Sequence, residues 1–436
     1  MPEPLTPSLS RRTVLWAVFV LTALNLLDYF DRYIVAAVST LIKQDLGLSE
    51  KAFGFLGSAF FMVYLVSAPV FGYLGDRWGR RRFMVLGAAL WSLATSLAFW
   101  VTTYPGLVLA RGLVGMGEAS FGTLAPAYLA DMLPLAKRAR YLGIFYTTIP
   151  VGAALAYFFG GQVGAAWGWR WSFLLAGLPG LIMAGLVYTL PRFSPGGSSA
   201  APSRPPAALN LKTLAGLWRI PTFVRVTTGY GFLTFALGGL AFWMPRFLEV
   251  QKVLSLKEAN ILMALVTTGA GGLGTVLGGF GGDWLFGRNP RGHLWLSGLG
   301  VALALPFGAL TIFAGEPLIY KFSLFAAVFL LFLNPGLLTT LIVSVAGPNR
   351  RALAVATNII VIHFIGDVPS PFLIGWLADV AGLQWGVCLA LVALVFSAVI
   401  LLSGLPHVAA DLIAADRPAA EPGTVPEPCP PGCGPG

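Results

Sequence analysis

Twelve stretches of this chain are apolar over about twenty residues or more, the length at which an α-helix crosses a bilayer. They run Val14–Ile42, Ala52–Gly75, Phe83–Tyr104, Gly106–Leu133, Ala139–Ala166, Trp169–Leu190, Thr222–Val250, Lys257–Phe286, His293–Ala314, Pro317–Ala346, Ala352–Val380 and Leu383–Leu405. Backbone inside lipid has no water to bond, and a helix satisfies its amides within one segment. The expected fold is an all-α membrane protein with twelve transmembrane helices. Between the sixth and seventh runs lies Pro191–Arg219, rich in Pro, Ser, Gly and Ala, read as a linker with a short amphipathic segment near Leu209–Leu217. The predicted organisation is a cytoplasmic segment 1–13, a six-helix bundle 14–190, a linker 191–221, a second bundle 222–405 and a tail 406–436. That tail, from Pro406, has no periodicity and is expected to be disordered.

The charge of +10 invites a polyanion-binding reading, but only 11% of residues are charged and the basic ones fall in short clusters between apolar runs. There they orient helices, so nucleic acid is not an expected partner. Eighteen Lys and Arg, among them Arg11, Arg12, Arg77, Arg80, Arg81, Arg82, Lys137, Arg138, Arg350 and Arg351, fall on the side that holds both termini. Six fall opposite: Lys43, Lys51, Arg170, Lys252, Lys257 and Lys321. That excess predicts both termini in the cytoplasm and an even number of spans. The first run exceeds 25 residues, too long for the apolar core of a cleavable signal peptide, and reads as a first membrane helix. Cys388 reads as packing, Cys429 and Cys433 as part of the tail, and the scattered His293, His363 and His407 form no metal set. No cofactor and no metal are expected, and the protein is expected to be a monomer.

The two halves resemble each other. Gly72-Tyr73-Leu74-Gly75-Asp76-Arg77-Trp78-Gly79-Arg80 recurs, one residue longer, as Gly279-Phe280-Gly281-Gly282-Asp283-Trp284-Leu285-Phe286-Gly287-Arg288. Likewise Lys137-Arg138-Ala139-Arg140 recurs as Asn349-Arg350-Arg351-Ala352. A parallel six-plus-six repeat across a long linker predicts two pseudo-symmetric bundles with a site between them, the plan of an alternating-access transporter.

Charges inside apolar runs mark candidate sites. In the first run Asn25, Asp28 and Arg32 follow one helical face, with Asp31 beside them. Each ionisable group at bilayer depth costs roughly 2.5–3.5 kcal/mol, so such groups pair or face water. A structural ion pair is one reading; a proton site is the favoured one. Desolvation and the adjacent Arg32 act on Asp31 in opposite senses, so a change in water access can tip its protonation. In the fourth run Arg111 and Glu118 are two turns apart, too far to pair directly, and each needs a partner on another helix. They read as a relay with Asp31, or Glu118 as an inter-helix tether. His363 and Asp367, four residues apart in the eleventh run, read as a tether or as part of a substrate site with Asn25, Asp28 and Tyr29. Arg225 reads as a snorkelling anchor, and the glycine-dense eighth run as close helix packing. Asp131, Asp283 and Asp379 are placed at cytoplasmic helix ends as gate residues.

Gly72 to Arg82 fits the motif G-x-L-[A/G]-D-R-x-G-R-[R/K]-[R/K] of the major facilitator superfamily, between the second and third helices where that family carries it. The resemblance implies that Asp76, with Arg77, Arg80 and Arg81, latches one conformation. More narrowly, the chain resembles the Spinster-type branch through Asp28-Tyr29-Phe30-Asp31-Arg32, Arg111-Gly112-Leu113-Val114-Gly115-Met116-Gly117-Glu118-Ala119-Ser120, Ala125-Pro126, Ala130-Asp131, Ile149-Pro150-Val151-Gly152, His363-Phe364-Ile365-Gly366-Asp367 and Ser370-Pro371-Phe372. That branch implies transport of lysophospholipids or sphingoid lipids, with proton coupling proposed for some of its members. At Asp28 the chain departs from the family's usual neutral Asn. The expected function is proton-coupled transport of an amphipathic lipid-like anion by a multi-pass protein of a bacterial inner membrane. A multidrug or organic-anion carrier is the alternative. A membrane-embedded lipid enzyme would need a compact His/Asp or Ser/His/Asp constellation, and the sequence offers none; a non-transporting receptor is a third class.

Overall fold

The computed structural model describes residues 10–133, 135–192, 211–347 and 350–416. Twelve long helices account for nearly all of it: α1 (Arg11–Ala37), α2 (Glu50–Trp78), α3 (Arg80–Trp100), α4 (Tyr104–Met132), α5 (Arg140–Trp167), α6 (Trp169–Val187), α7 (Pro221–Gln251), α8 (Leu256–Phe286), α9 (Gly292–Phe313), α10 (Pro317–Ala346), α11 (Leu353–Ala381) and α12 (Leu383–Ser403). Eleven are long and apolar enough to cross a membrane on composition alone. The exception, α4, carries Arg111 and Glu118, which dilute its hydropathy without shortening it. The segments 1–9 and 193–210, and the tail 417–436 with Cys429 and Cys433, lie outside the described residues.

Local chemistry sets the helix ends. Ser49 and Ser255 cap α2 and α8, accepting hydrogen bonds from Ala52 N and Glu258 N, and Glu258 reaches back to complete a capping box. The connections α5–α6 and α11–α12 each turn on a single glycine, Gly168 (φ 88°) and Gly382 (φ 95°), in a backbone region open to glycine and strained for other residues. These two glycines occupy equivalent places in the two halves, so the repeat extends to the tight turns. α8 and α11 each contain one π-helical turn, Thr267–Gly271 and His363–Asp367.

Within the first half α2, α3 and α4 pack together, as do α1, α5 and α6; α7, α9, α10, α11 and α12 do the same in the second. Each half has its own apolar core, and a third core is shared between them, built from Phe53, Tyr157, Phe242, Trp243, Phe247 and Met263 among others. The shared core lies at the end opposite the arginine clusters. There α2 packs on α11, and the outer part of α5 on the outer part of α8. Backbones touch along the α2–α11 seam: a Cβ at Gly54 would come within 2.2 Å of the Pro371 carbonyl oxygen. Gly54→Val should therefore prise the halves apart there, at a cost of roughly 1–3 kcal/mol for overpacking. The purified variant's melting temperature should fall by several degrees; an unchanged value would mean the seam is not closed in solution.

Every hydrogen bond that joins the two halves among the described residues lies on this closed side or at mid-depth. Examples are Tyr157 Oη to the Ala241 carbonyl at 2.7 Å, Asn260 Nδ2 to the Ala37 carbonyl at 2.8 Å, and Phe372 N to Ser58 Oγ at 3.2 Å. Towards the arginine-rich end the inner parts of α8 and α11 pack within their own half. The molecule is closed at one end and parted at the other.

One expectation about the ends is corrected. The tail is not irregular from Pro406: Val408–Asp416 forms a helix, with Val408 buried. Its Asp411 carboxylate accepts a hydrogen bond from Thr222 N at 2.8 Å, supplying a free amide of α7's first turn with an acceptor. The short segment before α7 is helical over Leu211–Leu217.

Candidate functional site

α1 lies against α4 and α5 and carries the acids of the first run inward. Asp28 and Asp31 are each 1% exposed, Arg111 2% and Glu118 0%. Burial this deep would be prohibitive for isolated charges, and the side chains are arranged accordingly. Arg32 donates to Glu118 Oε2 through Nε at 3.0 Å and Nη2 at 2.8 Å, and the same Nη2 lies 3.5 Å from Asp28 Oδ1. Its guanidinium stacks 4.5 Å from the Tyr29 ring centre and 5.5 Å from that of Tyr64. Phe60 receives both cations, Arg32 at 5.4 Å and Arg111 at 4.8 Å, an arrangement worth up to about 2 kcal/mol where desolvated.

Asp31 sits on the other side of this group. Its Oδ2 accepts a hydrogen bond from the Thr95 hydroxyl of α3, and its carboxylate faces Arg111. Asp31 Oδ1, Arg111 Nε and Nη1, and Glu118 Oε1 are buried without a hydrogen-bond partner among the described residues. Three carboxyls therefore share two guanidiniums in a water-poor interior. One proton makes the cluster neutral.

Across the interface, His363 Nδ1 and Asp367 Oδ2 are 2.6 Å apart in the π-helical turn of α11. The His363 ring stacks 6.0 Å from Phe61 and lies 5.8 Å from Tyr64, so α2 aromatics bridge the Arg32 cluster to α11. Beside Asp367 opens a cavity of about 220 Å³ between the halves. Its wall is mostly aliphatic, from Leu237, Met244, Met263, Leu324 and Leu331, with Tyr33, Tyr157, Thr234, Thr267, Thr311 and Asp367 as the polar points.

The closed end has its own polar lock. Glu50, at the start of α2, accepts from Arg246 of α7 through Nη2 at 2.6 Å and Nε at 2.9 Å, and from Lys43 Nζ at 2.8 Å. Asp379, at the end of α11, accepts from the backbone N–H groups of Glu50 at 2.7 Å and Lys51 at 2.9 Å.

This architecture has a family. A sequence model of the Major Facilitator Superfamily matches residues 21–366. The chain belongs to that superfamily. Its relatives place it in the Spinster group: protein spinster homolog 1 of Mus musculus is 34% identical over 405 residues, covering 86% of this chain and 75% of that protein. Protein spinster of Drosophila melanogaster is 30% identical over 378 residues, covering 84% and 62%. Among solved structures, a bacterial homologue of the human lysosomal transporter Spinster, inward-facing and unoccupied, has a TM-score of 0.83 at 22% identity, covering 92% of this chain and 99% of that one. A D-xylose–proton symporter has a TM-score of 0.74 at 19% identity, covering 91% and 98%.

In this Spinster-type transporter the twelve helices form the two six-helix bundles of the major facilitator fold. Several predicted site residues stand elsewhere than expected. Asn25 does not face the cavity: its Nδ2 donates to the Phe145 carbonyl at 3.1 Å and Thr148 Oγ1 at 2.6 Å, filling the break in α5 around Thr147. Asp379 is not at the arginine-rich end. α11 starts at that end beside Arg351, so its last turn lies at the other, where Asp379 meets the amide-rich start of α2, a favourable place for an anion. Of the motif loop, Arg80 bridges Asp76, at 2.8 Å, and Asp131. Arg77 instead donates to Tyr73 Oη at 2.8 Å, and Arg81 ties α3 to the Leu190 carbonyl after α6. Asp283 is 85% exposed, 3.6 Å from His293. Thr95, Phe60, Tyr64 and Glu50 carry no site signal in the sequence, and Lys43 stands out there only as a basic residue on the side away from the termini. Arg246, a charge near the end of an apolar run, was the one signal available.

Proposed function

We propose that this transporter is a proton-coupled carrier of single-chain amphipathic lipids, lysophospholipid or sphingoid in type, working by alternating access. The observation that carries the proposal is the buried surplus of one carboxyl over two guanidiniums, separated by Tyr33 from an aliphatic cavity between the halves. Unprotonated, the cluster bears a net negative charge that repels an anionic headgroup. One proton removes that charge and leaves Arg111, two of whose donors are uncommitted, as the cationic contact. Proton and anion then favour each other's binding, a positive linkage between the two. The aliphatic wall takes the chain.

The arginine-rich, parted end is assigned to the cytoplasm by the excess of basic residues, with both termini there, in a bacterial inner membrane. The conformation is then inward-facing. Asp76, Arg80 and Asp131 form the first-half latch at that end, and Asp283 is its counterpart. His363 and Asp367, held across from Arg32 by Tyr64 and Phe61, contact substrate at the interface. The second reading, a carrier of drug-like organic ions, uses the same cavity.

Uptake of a labelled lysophospholipid into proteoliposomes under an imposed pH gradient tests the proposal. Saturable uptake that collapses when the gradient is dissipated is expected. Absence of lipid uptake in vesicles that do transport drug-like ions would favour the second reading.

A further inference from the structure

Asp28 and Glu118 come from different helices and converge on one nitrogen of Arg32, at 3.5 Å and 2.8 Å. The two carboxyl groups are thus crowded against a single donor, and both are almost fully buried. Two ionised carboxylates brought to one nitrogen repel each other away from water, and a proton on one of them removes the repulsion. Arg32 identifies which one. Both of its short bonds go to Glu118, the geometry of an ionised carboxylate held by a guanidinium, whereas Asp28 receives only a long contact. The ionisable groups facing the pair are Tyr29, Asp31, Arg32 and Tyr33 on α1, Tyr64 on α2 and Arg111 on α4. Asp31 already faces Arg111 and holds the Thr95 hydroxyl. With the short bonds of Arg32 given to Glu118, and with Arg111 facing Asp31, Asp28 is the carboxyl held only by a long 3.5 Å contact to Arg32.

We propose that Asp28 and Glu118 form a carboxyl pair sharing one proton on Arg32, with Asp28 as the residue that carries it in this conformation. The consequence for transport rests on the proton-coupled reading above; the pair itself does not. Loss of the proton leaves two carboxylates competing for one guanidinium, and the electrostatic drive to re-pair Arg32 is then a local switch for the helix α1–α4 contact.

The purified transporter at neutral pH, examined by infrared spectroscopy, should show a protonated-carboxyl C=O stretch that shifts on deuterium exchange. Asp28→Asn and Glu118→Gln should each abolish it, and the double variant should remove nothing more. Asp28→Glu, which keeps a carboxyl, should restore it and keeps the test open should either amide variant fail to fold. A band that survives in Asp28→Asn, or is missing from the wild type, overturns the pair. If the bands behave as expected and proteoliposomes take up lipid without dependence on pH, the carboxyl pair stands and proton coupling fails.

Discussion

Asp31→Asn should reduce lipid-driven proton movement in proteoliposomes to the background of empty vesicles, while the protein folds. The argument is one of charge. Three buried carboxyls face two guanidiniums; with Asp31 an amide, two carboxyls are left for two guanidiniums, so the Asp28–Glu118 pair no longer needs a proton to reach neutrality. It also takes the anion from in front of Arg111, whose Nε and Nη1 have no other partner among the described residues. The fold itself should tolerate the change, because the amide still accepts from the Thr95 hydroxyl. The checks are a pH-sensitive dye inside the vesicles and a melting curve on the same preparation. Proton movement at the wild-type rate would remove Asp31 from the coupling.

The second large effect should come from the closed end. Glu50 holds Arg246 of the other half and Lys43 at once, and its side chain is 15% exposed. Glu50→Gln leaves two cations facing each other across the seam. Removing one partner from a well-buried pair costs roughly 3–5 kcal/mol; partial exposure reduces this to about 2 kcal/mol. Since about 1.4 kcal/mol is a factor of ten in an equilibrium constant, the population open at this end should rise roughly tenfold or more. A thiol placed by Phe53→Cys, in a chain stripped of its native cysteines, reads this directly, because Phe53 is fully buried in the shared core. Labelling should speed up by a similar factor on Glu50→Gln. Equal labelling rates would show that apolar packing alone keeps the end shut.

The two polar sites differ in how visible they were in the sequence, for a physical reason. Asp28, Asp31, Arg32, Arg111 and Glu118 interrupt long apolar runs, where charge is expensive, so each stands out without any knowledge of the fold. Their pairing across α1 and α4 does not, since nothing in spacing along one helix reports which neighbour lies opposite. Glu50, Lys43 and Asp379 sit at helix ends, where charge is ordinary, and only the contact of α2 with α7 and α11 makes them a lock. Thr95 and Tyr64 are unremarkable residues until they are seen against Asp31 and Arg32. The fold was more legible. Twelve apolar runs, a duplicated Gly–Asp–Gly–Arg loop and lopsided basic clusters give the architecture, because lipid restricts the possibilities so severely. Asp379 shows the limit of that legibility: α11 runs away from the arginine-rich end, so an acid in its last turn lies at the closed end, and in an alternating bundle position along a helix acquires a side only from the direction of that helix.

The most direct test of the whole account is proton movement by the wild-type protein in proteoliposomes on addition of a lysophospholipid. A proton flux that starts with the lipid, saturates with its concentration and is absent from empty vesicles is the predicted result. Lipid transport with no accompanying proton flux would contradict the account, since the buried surplus carboxyl would then have no part in the cycle.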